Sequence, residues 1–291
     1  MNASQTRIST GIERLDEQLG GGLLPGTLTV VLGSTGIGKT QLGICFAHQG
    51  EAADGRAGFL LDLAARGDSQ NHAAYAESLA GWKLNSQSVE LDEILDPQID
   101  CGNYLRLFAA QAIRVTQRDM SFDDWHHWQA DINSKLRGVI SFIYANFVRG
   151  CRRMVVDGFE PADQPNQSVQ FNLFEFLYHK AVREQHDWVA RELFREKFLQ
   201  NSQEVDRRAY DSSQIGCLAL CTSKEQMLDD LISRPLDEGD VIANANTLIL
   251  MGKTRDGNKM GRALFVAKHR GSRCSDEILP YEIDDQGLRI L

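Results

Sequence analysis

The chain has 291 residues, 42% of them hydrophobic and 24% charged, and a formal net charge of −9. Such a composition is ordinary for a soluble globular protein of one large or two small α/β domains, and it excludes low-complexity and fibrous classes. No apolar run approaches the roughly 18 residues of a membrane helix and residues 1–7 contain no apolar leader, so cytoplasmic residence is the expectation, while the acidic balance disfavours broad nucleic-acid binding.

In chain order, residues 7–16 lead into a glycine-rich turn at 20–26, and the β-branched run 27–32 reads as the first strand. Residues 33–40, GSTGIGKT, follow it directly and match the phosphate-cradling pattern GxxxxGK[ST] at every fixed position. In that pattern the backbone N–H groups of Gly33, Ser34, Thr35, Gly36, Ile37 and Gly38 converge on phosphates. Lys39 neutralises the β/γ charge, Thr40 offers a hydroxyl to Mg²⁺, and Gln41 continues the chain into a helix over 41–47. A strand before the loop and a helix after it place the phosphates at a helix N-terminus, where orphan N–H groups and the helix dipole both favour negative charge. Binding of a nucleoside triphosphate, ATP with Mg²⁺, is the expectation.

Residues 57–62 read as a second strand ending in Asp62, 71–82 as a helix, and the stretch to residue 100 as mixed. Trp125, Trp128, Ile132, Leu136, Ile140, Ile143 and Phe147 recur at helical spacing and predict a helix with one buried face. Residues 151–157, CRRMVVD, have the form of a Walker B strand, whose terminal Asp157 holds the metal through a water on the same sheet edge as the phosphate loop.

A helix over 168–183 precedes a polar, charged helical insertion at 184–213 carrying Trp188, Phe194 and Phe198. Residues 215–222 form the next strand, with Thr222 and Ser223 at its tip, and strands near 247–251 and 263–268 flank a hairpin turn at 256–258. Alternating strands and helices predict a mainly parallel sheet covered by helices, with an antiparallel C-terminal edge, in one domain over 1–291. Cys45, Cys101, Cys151, Cys217, Cys221 and Cys274 form no CxxC pair and read as reduced, mostly core residues. The adjacent His126 and His127 lack the neighbours that would complete a metal set, and the basic hairpin from Lys253 to Lys259 with Arg262 reads as a solvated tip.

The pattern resembles the KaiC-like branch of the RecA superfamily of P-loop NTPases. Three places carry the resemblance: the block from Ile8 through Leu15-Asp16 and residues 19–26 into the phosphate loop, the segment 152–157, and the C-terminal segments 262–272, 280–283 and 287–288. The resemblance implies a RecA-like core, an ATP-binding protein active as a homo-oligomeric ring, a hexamer, with nucleotide at subunit interfaces. Lys268 and Arg270 then reach the neighbour's γ-phosphate in the manner of an arginine finger. It also implies a glutamate pair after the second strand to activate water, where this chain has Ala64 and Ala65. Asp62 and Glu160 are the nearby acids. A slow ATPase or an ATP-gated regulator with a protein partner is therefore expected. A DNA-handling recombinase or helicase-type ATPase and a non-hydrolysing nucleotide-binding scaffold are the alternatives.

Overall fold

The computed structural model describes residues 7–64, 71–87, 89–108, 121–161, 168–234, 244–271, 274–285 and 287–291. Strands β1 (Leu28–Gly33), β2 (Phe59–Asp62), β3 (Tyr104–Arg106), β4 (Arg153–Phe159), β5 (Gly216–Thr222), β6 (Thr247–Asp256), β7 (Lys259–His269), β8 (Leu279–Asp284) and β9 (Gly287–Ile290) form one sheet in the order β3-β2-β4-β5-β1-β6-β7-β8-β9. The pairs from β3 to β6 are parallel and those from β6 to β9 antiparallel, as the alternating pattern predicted.

Every residue of β1, β2 and β4 is buried, which requires helices on both faces, and strand alternation divides the side chains between them. Leu28, Val30, Leu32, Phe59, Leu61, Met154 and Val156 join a core built with α4 (Phe122–Val148) and α5 (Val169–Leu177). Val31, Leu60 and Val155 face the other way, into a core with α2 (Lys39–Asp54) and the N-terminal block that includes α1 (Glu13–Gln18).

The predicted helical stripe lies on α4: Trp125, Trp128, Ile132, Ile143 and Phe147 are buried, with Leu136 and Ile140 half-buried against the same core. Ser121 caps this helix by accepting from Asp124 N at 3.2 Å. Helix α2 runs to Asp54, well past the predicted residue 47, because packing on β4 and α3 (His72–Ala80) sustains it through a weakly patterned stretch. The three-residue β3 lies just beyond the mixed stretch that ended at residue 100; so short a strand exists through its pairing with β2.

The polar stretch 184–213 contains α6 (His186–Phe194) and α7 (Phe198–Arg207). Val189, Ala190, Leu193 and Phe194 pack on Tyr144, Ala145 and Val148 of α4, whereas Trp188 points outward, 55% exposed. In this layer the His186 ring stacks on Tyr144, meets Tyr210 edge-on, and donates from Nε2 to Val205 O at 2.9 Å. Burial pulls His186 below the ordinary imidazole pKa, against the opposing influence of Val205 O, Asp187 and Asp206. The unfolded chain therefore binds this proton more readily, and the stability it supports is lost as pH falls through about 6.5. His186→Gln is expected to show a smaller drop in melting temperature between pH 7.5 and 5.5 than wild type; equal drops would place the acid sensitivity elsewhere.

All six cysteines are free thiols, four of them buried, in keeping with their reading as reduced residues. Among the described residues, no helix is long and apolar enough to cross a membrane.

Candidate nucleotide-binding site

The loop of residues 34–38 leaves β1 at the C-terminal edge of the parallel strands and enters α2 at Lys39. Gly38, the N-cap, has φ 109° and offers no side-chain cap. A Cβ there would be strained by that backbone and would lie 2.7 Å from Ile283 Cδ1, so the position is fitted to glycine. Among the described residues the first-turn N–H groups of α2 thus have no side-chain cap, and they lie at residues that line a cavity of about 590 Å³. That volume lies within the range of ligand pockets.

Thr35, Gly36, Gly38, Lys39, Thr40 and Gln41 line this cavity, facing Ala64, Tyr75, Glu160, Thr222, Ser223, Arg262 and Ile283. Gly33, Ser34 and Ile37 form the back of the loop. Lys39 Nζ donates to the carbonyls of Gly33 and Ser34, both at 2.9 Å, and the Tyr281 hydroxyl donates to Ile37 O at 2.6 Å, tying β8 to the loop. Burial lowers the Lys39 pKa, with the Asp157 charge working in the opposite direction.

Asp157 sits near the end of β4, 1% exposed, and the register sets it beside Asp62 on β2. Its Oδ2 accepts from Thr40 Oγ1 at 2.7 Å and contacts His72 Nε2 at 3.1 Å, while Oδ1 accepts from Gly158 N at 2.7 Å. Gly158 permits this turn: its φ is +98°, and a Cβ would run into the backbone N of Ala64. Burial by itself would raise the Asp157 pKa, but the His72 hydrogen bond and charge, with Thr40 and Lys39, hold it below the usual carboxylate value.

Asp62 is 2% exposed and is turned into a polar cluster rather than onto the cavity wall. Its Oδ1 accepts from Ala64 N at 2.8 Å and its Oδ2 from the Tyr104 hydroxyl at 2.7 Å, with Arg106 Nε at 3.9 Å. Ala64 lines the cavity where the family resemblance calls for a glutamate; Ala65 lies outside the described residues. Glu160 is the acid on the wall.

Lys268 and Arg270 lie elsewhere. Lys268 pairs with Leu248, and Arg270 N donates to Asn246 O at the strand edge opposite the loop. Asn246 stands level with Leu28, five residues or roughly 17 Å before Gly33 along the strand direction, so Arg270 does not reach its own chain's loop. Arg262, further along β7 and paired with Lys253, is the cation of that strand on the cavity wall.

These residues fit Mg²⁺ and a triphosphate. A hydroxyl hydrogen-bonded to one ionised carboxylate is the hard oxygen set that Mg²⁺ takes when phosphates and waters complete its shell. The described residues contain no group of three or more His, Cys, Asp or Glu that suits a metal held by protein alone. The buried Gln41 Oε1, without a hydrogen-bond partner among the described residues, leaves an acceptor at the cavity edge.

The family model for the KaiC ATPase matches residues 8–86, the span from the N-terminal block through the phosphate loop and α3. The circadian clock oscillator protein KaiC of Parathermosynechococcus lividus is 36% identical over 93 residues, covering 32% of this chain and 16% of that protein. Over this N-terminal span the chain is similar to the KaiC ATPase family. A DNA repair protein RadA of Mycobacterium tuberculosis is 44% identical over 50 residues, 17% of this chain and 10% of that protein. The crystal structure of a KaiC-like protein from Pyrococcus horikoshii matches with a TM-score of 0.54 at 16% identity, covering 98% of each chain. That likeness shows a shared fold over nearly the whole length of both chains, whereas the matched sequence segments span about a sixth or less of the curated relatives' length.

Sequence reasoning missed His72, Tyr104, Tyr75 and Ile283, and assigned Arg262 to a solvated hairpin. The capping signal at Asn71, whose side chain accepts from Ala74 N, fixes where α3 begins. Nothing local says that its first residue, His72, meets Asp157 across 85 positions of sequence.

Proposed function

We infer that this KaiC-like chain binds Mg·ATP at residues 33–41, with Thr40 and Asp157 on the metal, and works as a homo-oligomeric ring that hydrolyses ATP slowly to control assembly or a protein partner. The observation that carries this reading is the convergence of Lys39, Thr40 and Asp157 at one cavity beside the N-terminus of α2. The placement of Arg270 away from its own loop supports a role in the neighbour's site. Slow turnover follows from Ala64: loss of a water-orienting group lowers the rate by about 10²- to 10⁴-fold. Residues 1–291 then act as one nucleotide-binding unit, with 184–213 as an insertion.

Phosphate release and oligomer size with Mg·ATP test this directly. Lys39→Ala and Arg270→Ala are each expected to be silent alone, and their mixture to regain part of wild-type turnover, because a mixed ring pairs an intact loop with an intact Arg270. Full turnover by Arg270→Ala alone would remove the interface reading. ATP-driven assembly without phosphate release would instead favour the non-hydrolysing scaffold, the reading that Ala64 on the cavity wall supports.

A further inference from the structure

His72 is 2% exposed and stands between two buried carboxylates that belong to neighbouring strands. Its Nε2 is 3.1 Å from Asp157 Oδ2, the oxygen that also accepts from Thr40; its Nδ1 is 3.7 Å from Asp62 Oδ2 and has no hydrogen-bond partner among the described residues. An ionised carboxylate only accepts hydrogen bonds, so the Nε2 atom carries the proton of this contact. Asp62 is in turn fixed by the Tyr104 hydroxyl and the backbone of Ala64, and the Tyr104 ring lies 5.6 Å from the imidazole. The result is a chain of contacts, Tyr104 to Asp62 to His72 to Asp157, that ends on the carboxylate next to Thr40.

We propose that His72, buttressed by Asp62 and Tyr104, is a positioning residue for the magnesium side of the nucleotide site. This rests on the Mg·ATP reading above. By occupying one lone pair of Asp157 Oδ2, the imidazole N–H fixes the carboxylate plane and aims the remaining lone pairs at Thr40 and at the water shell of the cation. Outer partners that orient a metal-holding group typically change metal affinity 10- to 100-fold when removed. The proposal also gives Asp62 a task although it is absent from the cavity wall: it holds the imidazole rather than a water.

The test uses the full chain and a fluorescent N-methylanthraniloyl-ATP probe, titrated in EDTA and over a range of Mg²⁺ concentrations. His72→Phe, which keeps a ring but no N–H, is expected to need 10- to 100-fold more Mg²⁺ for the half-maximal gain in affinity. Its affinity in EDTA is expected to stay within about twofold of wild type, because the phosphate loop is untouched. His72→Gln, which restores an N–H, is expected to recover most of the loss. Tyr104→Phe, which removes only the hydroxyl anchoring Asp62, is expected to fall between, and serves as the test should His72→Phe not fold. An unchanged Mg²⁺ requirement in these variants, or an equal loss in EDTA and Mg²⁺, overturns the proposal while leaving nucleotide binding intact. Failure of wild type to bind the probe overturns the nucleotide reading, and this proposal with it.

Discussion

Lys39→Ala is expected to lower the affinity for Mg·ATP by about two orders of magnitude. Hydrogen bonds from an ammonium to phosphate oxygens are charge-assisted and contribute about 1.5–3 kcal/mol each. Losing roughly 3 kcal/mol corresponds to about a 150-fold change. The ammonium rests on the carbonyls of Gly33 and Ser34, neutral acceptors that a phosphate outcompetes. The folded chain itself should tolerate the change, since Lys39 is 6% exposed and its burial already disfavours the charge. Thermal melting separates the two effects: without ligand the variant should melt within a few degrees of wild type. At nucleotide near 100 times the wild-type Kd, wild type should gain about 2.7 kcal/mol and the variant little. Wild-type affinity in Lys39→Ala would sink the nucleotide assignment.

The largest expected loss of stability lies at the other end of β4. Arg153 is 1% exposed; its Nε donates to Asp54 Oδ2 at 2.7 Å and its Nη1 to the carbonyls of Phe46 and Ser9, with the Phe46 ring 5.1 Å away. One guanidinium thus ties the N-terminal block and both halves of α2 to the central sheet. Arg153→Ala strands a largely buried carboxylate, and breaking such a pair from one side costs about 3–5 kcal/mol. At about 2–4 °C per kcal/mol, the melting temperature should fall by roughly 6–20 °C. Removing Asp54 as well should restore part of that, because much of the cost is the uncompensated charge. Nucleotide affinity of the folded variant should be near wild type, since Arg153 opens β4 and Asp157 lies toward its other end. A loss below about 1 kcal/mol would mean that Asp54 finds another partner.

Much of this was legible in the linear chain because the information is local. The phosphate loop is eight consecutive residues between a strand and a helix, and the apolar runs ending at Gly33 and Asp157 read as buried strands with a fixed sheet edge. The stripe from Trp125 to Phe147 likewise announces its helix by period alone. Local signals gave less at the sheet margins. Strand β3 has three residues, too few to show a period, and β8 alternates over only Leu279–Asp284, so its place in the sheet depends on pairing with β9 and on the Tyr281 bond to the phosphate loop.

By itself the sequence determined the phosphate loop, the mainly parallel helix-covered sheet and the absence of acids at positions 64 and 65. Only the tertiary structure decided which charged groups meet. Register set Asp62 beside Asp157, the start of α3 put His72 between them, and the antiparallel run of β7 brought Arg262 to the cavity wall while carrying Arg270 to the far edge. Spacing along a strand or helix repeats every two or 3.6 residues and is written in the chain, but partners across strands depend on alignment between distant segments, which no local pattern encodes.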